Sequence, residues 1–206
     1  MIMKIVRTIM SITLCIAILA TIGVCFYNNY TQNHSGRYTS VTTITEEERE
    51  WILERFGREY ESIEEYISFV QDYAREHFHY NKNKKQFFQH FDFDDIVEGD
   101  EITNSLCFDF SVLFKHITIV LDEKNLLPAE NIKVYVTDIS YKNILKPHHS
   151  YNIISLPDEG KSYYVDITVT VSRAAKGLEP KEAYEIFTCS IEEYCKRYNE
   201  KLLNLH

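Results

Sequence analysis

The 206-residue chain lacks a surplus of positive charge, an internal repeat, a low-complexity tail and a disulfide framework. Lys and Arg number 22 against 31 Asp and Glu, a net charge of −9. That balance excludes binding to nucleic acid or to an anionic membrane face through bulk charge. The five cysteines stand at 15, 25, 107, 189 and 195. Cys15 and Cys25 fall in an apolar N-terminal run, so an odd number remains and at least one thiol is unpaired within the chain. Along one straight helix Cys189 and Cys195 would sit about 240° apart and about 9 Å along the axis, beyond disulfide reach. No Cys/His spacing matches a structural zinc pattern. His77-x-His79, read as part of a helix, would point its two rings apart. His90 and the His148–His149 pair complete the histidines weighed as ligands, and neither a metal nor another cofactor is expected.

What is present begins with a long uncharged segment. After Lys4 and Arg7 the chain runs from Thr8 to Tyr27 as "TIMSITLCIAILATIGVCFY". At about 1.5 Å per residue it reaches about 30 Å, the thickness of a bilayer core. No small-x-small cleavage site follows, and "TIGV" before Cys25 ends in Val where a lipoprotein site wants a small residue. Residues 1–27 are therefore expected to form an uncleaved signal anchor, with the chain secreted if the segment is cleaved. Lys4 and Arg7 precede the span, which leaves the remainder outside the cell membrane. Without them the rest of the chain carries −11. Residues 28–43, "NNYTQNHSGRYTSVTT", read as a flexible spacer. Residues 44–206 suit one domain with its own core.

That domain opens with helical signals. Thr45 with Glu48 and Ser62 with Glu65 form capping boxes, and Gly57 is a stop. Ile63, Tyr66, Ile67, Val70, Ala74 and Phe78 keep helical spacing. "NSLCFDFSVLF" predicts a helix capped by Asn104 or Ser105, with Phe110, Leu113, Phe114, Ile117 and Leu121 on its apolar face and an end at Asn125 and Pro128. The period then changes to 2. "NIKVYVTDIS", "HSYNIISL" and "SYYVDITVT" read as strands, the last two joined as a hairpin through "PDEGK". "EPKEAYEIF" and "SIEEYCKRYNEKLLNL" are expected as closing helices, the second with a Ser190/Glu193 box and Cys189 packing on Tyr194. Helices followed by strands predict an α+β domain.

Cys107 raises the functional question. In the first turn of a helix, unpaired N–H groups and the dipole favour thiolate over thiol, yet a free cysteine is commonly a small buried hydrophobe. A nucleophile needs a base and a group that orients the base. If Pro157–Gly160 close the hairpin and Leu156 pairs with Lys161, His149 and Asp166 share one face as diagonal neighbours, within side-chain reach. A carboxylate inside an apolar strand is rarely buried without a partner.

Three motifs in this order carry a resemblance: "LCFDFSVLF", "HSYN" at His149–Asn152, and "VDIT" at Val165–Thr168. The run from Leu106 to Thr168 resembles the core of the transglutaminase-like superfamily, and the segment ending in "FHYN" is similar to the helical lead-in of bacterial members. Tyr151 stands where Trp is commoner, Ile167 where Pro is frequent, and Ser105 where Gly often precedes the cysteine. The resemblance implies a papain-like fold with the cysteine helix packed on an antiparallel sheet. It implies Cys107 as nucleophile, His149 as general base and acid, and Asp166 as the residue that orients the imidazole. The implied activity is attack on a protein or peptide amide at the outer cell surface through a cysteinyl thioester, resolved by water or by an amine. A catalytically inactive surface domain that binds or supports is the alternative.

Overall fold

The computed structural model describes residues 43–81, 83–84, 91–139, 149–178 and 184–204; the side chains of 138–139 and 198–204 are left aside. The expected anchor, 1–27, and all of the spacer up to residue 42 lie outside the described residues. Among the described residues no helix is long and apolar enough to cross a membrane. The described part is an α+β arrangement of helices and antiparallel sheet.

Helix α1 (Glu46–Phe56) starts where the Thr45 hydroxyl accepts the Glu48 N–H at 3.1 Å. It stops at Gly57, where a Cβ would stand 2.3 Å from the Leu53 carbonyl oxygen. Helix α2 (Ile63–His77) starts likewise, the Ser62 hydroxyl accepting the Glu65 N–H at 3.0 Å. Its expected apolar stripe is buried, and Phe78 carries the chain directly into strand β1 (Phe78–Tyr80). A short helix α3 (Phe93–Ile96) leads into β2 (Val97–Glu98), which turns at Gly99 into β3 (Glu101–Ser105). Strand β3 lies between β1, parallel, and β2, antiparallel.

Helix α4 (Cys107–Glu123) is the axis of the core. Phe110, Leu113, Phe114, Ile117 and Leu121 are all at most 1% exposed, and burial of such side chains stabilises by about 1.5–3 kcal/mol each. Asn104 and Ser105 do not cap it: both belong to β3, and Asn104 has a positive φ of 48°. The N-cap position is Leu106, and the Asp109 carboxylate supplies the bond by accepting the Leu106 N–H at 2.8 Å. A side chain inside the first turn thus replaces the one expected before it.

The second sheet has the order β4-β5-β6-β7, antiparallel throughout: β4 (Lys133–Ile139), β5 (His149–Leu156), β6 (Lys161–Val165) and β7 (Tyr184–Phe187). Leu156 pairs with Lys161 and Asn152 with Val165, the register expected from the hairpin loop, in which Gly160 takes φ +62°. Side-chain alternation splits the sheet's two faces. Ile154, Leu156, Tyr163 and Val165 join the main core, while Tyr151, Ile153, Tyr164 and Phe187 pack with Tyr194 of helix α6 (Ile191–Asn204). Cys189 packs on that second cluster, and the Ser190 hydroxyl accepts the Glu193 N–H at 3.1 Å.

Two expected elements differ. "SYYVDITVT" is a strand only to Val165; residues Ile167–Ala174 form helix α5. Asp166 caps this helix, Oδ1 accepting the Val169 N–H at 3.1 Å, and Ile167, Thr170 and Val171 are buried at helical spacing. Packing of that face overrides the strand preference of β-branched residues. In "EPKEAYEIF", Tyr184–Phe187 extend the sheet as β7 beside β6, because a free edge satisfies its backbone by pairing with a strand. Residues 179–183 lie outside the described residues.

Candidate active site

The main sheet and α4 are tied together one turn below Cys107. The Asn152 amide, fully buried on β5, donates to the Ser111 carbonyl at 2.8 Å and to the Tyr135 carbonyl at 3.4 Å. That bridge holds the beginning of β5, and so His149, against the beginning of α4, where Cys107 is partly buried.

His149, Asp166 and Cys107 come together there. His149 Nε2 meets Asp166 Oδ2 at 2.6 Å. With that nitrogen engaged, Nδ1 is left for the hydrogen bond between the ring and the Cys107 thiol. The carboxylate is only 2% exposed and is held from several sides: Oδ2 also accepts the Tyr164 hydroxyl at 2.9 Å, and Oδ1 takes the Val169 N–H. The expected shared face is therefore realised differently. Ladder pairing ends at Val165, and the capping turn of α5 swings the carboxylate to the imidazole.

Burial disfavours a charged imidazole, but the Asp166 carboxylate and the Cys107 sulfur oppose it and push the His149 pKa up to about 10. The histidine is therefore protonated at neutral pH, one ring N–H directed to the sulfur and the other to the carboxylate.

Several neighbours had no place in the sequence reading of the site. Tyr164 lies two residues before Asp166, a spacing that shares one strand face, and could have been found so. Asp109 stands at the third helical position, where a carboxylate signals a cap. Tyr80 pairs with Ser105 across the small sheet; its hydroxyl pKa is raised by burial and then by Cys107 and Asp109 nearby. Only tertiary pairing reveals that proximity.

Cys189 and Cys195 are free thiols, and the Tyr151 hydroxyl lies 3.5 Å from Cys195 Sγ. His77 and His79 do not diverge as a continuous helix would make them. The helix ends between them, and both rings meet the Glu101 carboxylate, at 3.2 and 2.6 Å. Among the described residues no group of His, Cys, Asp and Glu is arranged to hold a metal ion. His90 and His148 lie outside the described residues.

No family model matches the chain, and neither a curated protein nor a solved structure matches it.

Proposed function

We propose that the domain is a thiol enzyme that acts on protein or peptide amides through a cysteinyl thioester, with Cys107 as nucleophile, His149 as acid and base, and Asp166 as the group that orients the imidazole. One observation carries the reading: an unbroken hydrogen-bonded chain from the Cys107 thiol through His149 to the buried Asp166 carboxylate. The three motifs that resemble the transglutaminase-like superfamily support the same roles and a papain-like core. The uncharged N-terminal segment supports attachment to the cell membrane with the site facing outward.

The chemistry follows from these positions. Cys107 Sγ adds to the carbonyl carbon, and the backbone N–H at Cys107 is a natural half of a site for the developing oxyanion. As the C–N bond breaks, the His149 proton passes to the departing amine and leaves an acyl thioester. Water or a second amine then attacks the thioester and gives its proton back to His149. Release of Cys107 as the thiolate beside the reprotonated His149 yields an acid in the first case and a new amide in the second. Exclusion of water by the acceptor pocket decides between them.

Iodoacetamide alkylation of Cys107 in the full-length protein tests this directly. Alkylation at pH 6 is expected to be fast, and His149→Ala to slow it by about 10- to 100-fold, because an ordinary thiol with a pKa of about 8.5 is almost all protonated there. A slow thiol indifferent to His149 would sink the enzyme reading and leave a binding or supporting domain.

A further inference from the structure

Behind Cys107 lies a polar ladder that the three proposed catalytic residues do not use. Asp109 is fully buried, and its Oδ2 accepts both the Leu106 N–H at 2.8 Å and the Lys84 ammonium at 3.3 Å. Its Oδ1 is buried with no hydrogen-bond partner among the described residues. Lys84 is 16% exposed and also reaches Asp95 Oδ2 at 3.4 Å. That oxygen accepts from the Asn104 amide at 3.0 Å, and Asn104 Oδ1 accepts from Asn81 at 3.0 Å. The Asn81 backbone N–H closes the ladder on the Ser105 carbonyl at 2.9 Å. The residues just before the cysteine are thus gripped on both sides.

We propose that Lys84 and Asp109 are a positioning pair for Cys107: Asp109 holds the peptide that presents the cysteine, and Lys84 cancels the carboxylate charge that this hold places two residues along the helix from it. The inference rests on Cys107 being an activated nucleophile. A carboxylate two residues from a thiolate opposes its formation, and in a partly buried site such repulsion is weakly screened. Burial raises the Asp109 pKa, while the Leu106 N–H and Lys84 hold it down. An acceptor is nevertheless required there, because a helix start leaves its N–H groups without intrahelical partners. The ammonium reconciles the two needs. Among the described residues, the charged and titratable groups tied to Cys107 or to the peptide before it are His149 from β5, Asp166 from the cap of α5, Tyr80 from β1, Asp109 on α4 itself, and Lys84 from the 83–84 segment with Asp95 of α3 behind it.

This arrangement makes predictions of opposite sign, which a merely structural cap would not. The pH profile of Cys107 alkylation by iodoacetamide is measured on the full-length protein, with thermal unfolding of each variant beside it. Lys84→Met leaves the carboxylate uncancelled and is expected to slow alkylation near pH 6.5 by about three- to tenfold, with the profile displaced to higher pH. Asp109→Asn keeps an oxygen for the Leu106 N–H and removes one negative charge while the ammonium stays paired with Asp95, so its profile moves to lower pH. The double variant restores the wild-type net charge of the ladder, with Asp95 still present, and returns toward wild type. Lys84→Gln replaces Lys84→Met if the latter does not fold. Profiles that stay put, or that move in the same direction for both single variants, overturn the pair while leaving the nucleophile in place. A wild-type thiol that is slow and indifferent to His149→Ala overturns both.

Discussion

Two pairs of a histidine with a buried carboxylate, of nearly equal length, occupy different parts of this molecule. His116 Nδ1 meets Glu48 Oε1 at 2.7 Å, and His149 Nε2 meets Asp166 Oδ2 at 2.6 Å. The first pair is sealed: His116 is 0% and Glu48 1% exposed, with the Phe91 ring T-shaped to the imidazole at 5.2 Å between ring centres. It braces α1 to α4. The second has an equally buried carboxylate, but its histidine is 22% exposed and faces a sulfur at a helix mouth. The bond itself therefore does not distinguish a brace from a proposed catalytic pair. Access and the third partner do, since proton transfer needs somewhere for the proton to go and a reacting atom within reach.

The comparison breaks most visibly through stability. Glu48→Ala strips His116 of a buried partner and should cost about 2–4 kcal/mol in denaturant unfolding. Alkylation of Cys107 in the protein that remains folded should keep its wild-type rate. A variant with unchanged stability would remove the distinction between the two pairs.

A second effect is expected from pH. The folded His149 pKa lies at about 10, above its ordinary value of 6.5. A raised value means that the contribution of His149 to stability is complete below about pH 6.5 and is lost as pH rises through about 10. The His149 imidazole should titrate correspondingly late by NMR, and earlier once Cys107→Ala or Asp166→Asn removes one of its supports. An imidazole that titrates near 6.5 in the wild type would place His149 with ordinary histidines.

The smallest effect concerns the second support of Asp166. Tyr164→Phe removes one hydrogen bond to that carboxylate and should cost about 1 kcal/mol, with only a few-fold slowing of alkylation. Combined with Asp166→Asn, the two losses should be less than additive, because they act on one network. Full additivity would show that Tyr164 acts elsewhere.

Much of this was legible in the chain. The Thr45, Ser62 and Ser190 caps are local bonds between a hydroxyl and an N–H three residues on, and the structure forms all three. The apolar face of α4 and the hairpin register were legible because both depend on short-range periodicity. The misplaced elements share another cause. Ile167–Ala174 and Tyr184–Phe187 are short segments whose local preferences were overridden by the neighbouring surfaces they pack or pair with. The start of α4 was misjudged because Asp109 caps from within the helix.

The order of Cys107, His149 and Asp166, the α+β character and the helix that begins at the cysteine were determined by sequence, through propensity and spacing that act over a few residues. The meeting of the three side chains was decided by tertiary structure alone. It needs Asn152 to bind β5 to α4, the capping turn of α5 to deliver Asp166, and the ladder from Asn81 to Lys84 to grip the peptide before Cys107. Those contacts join residues distant in the chain, and their energy exists only once packing has excluded water from between them.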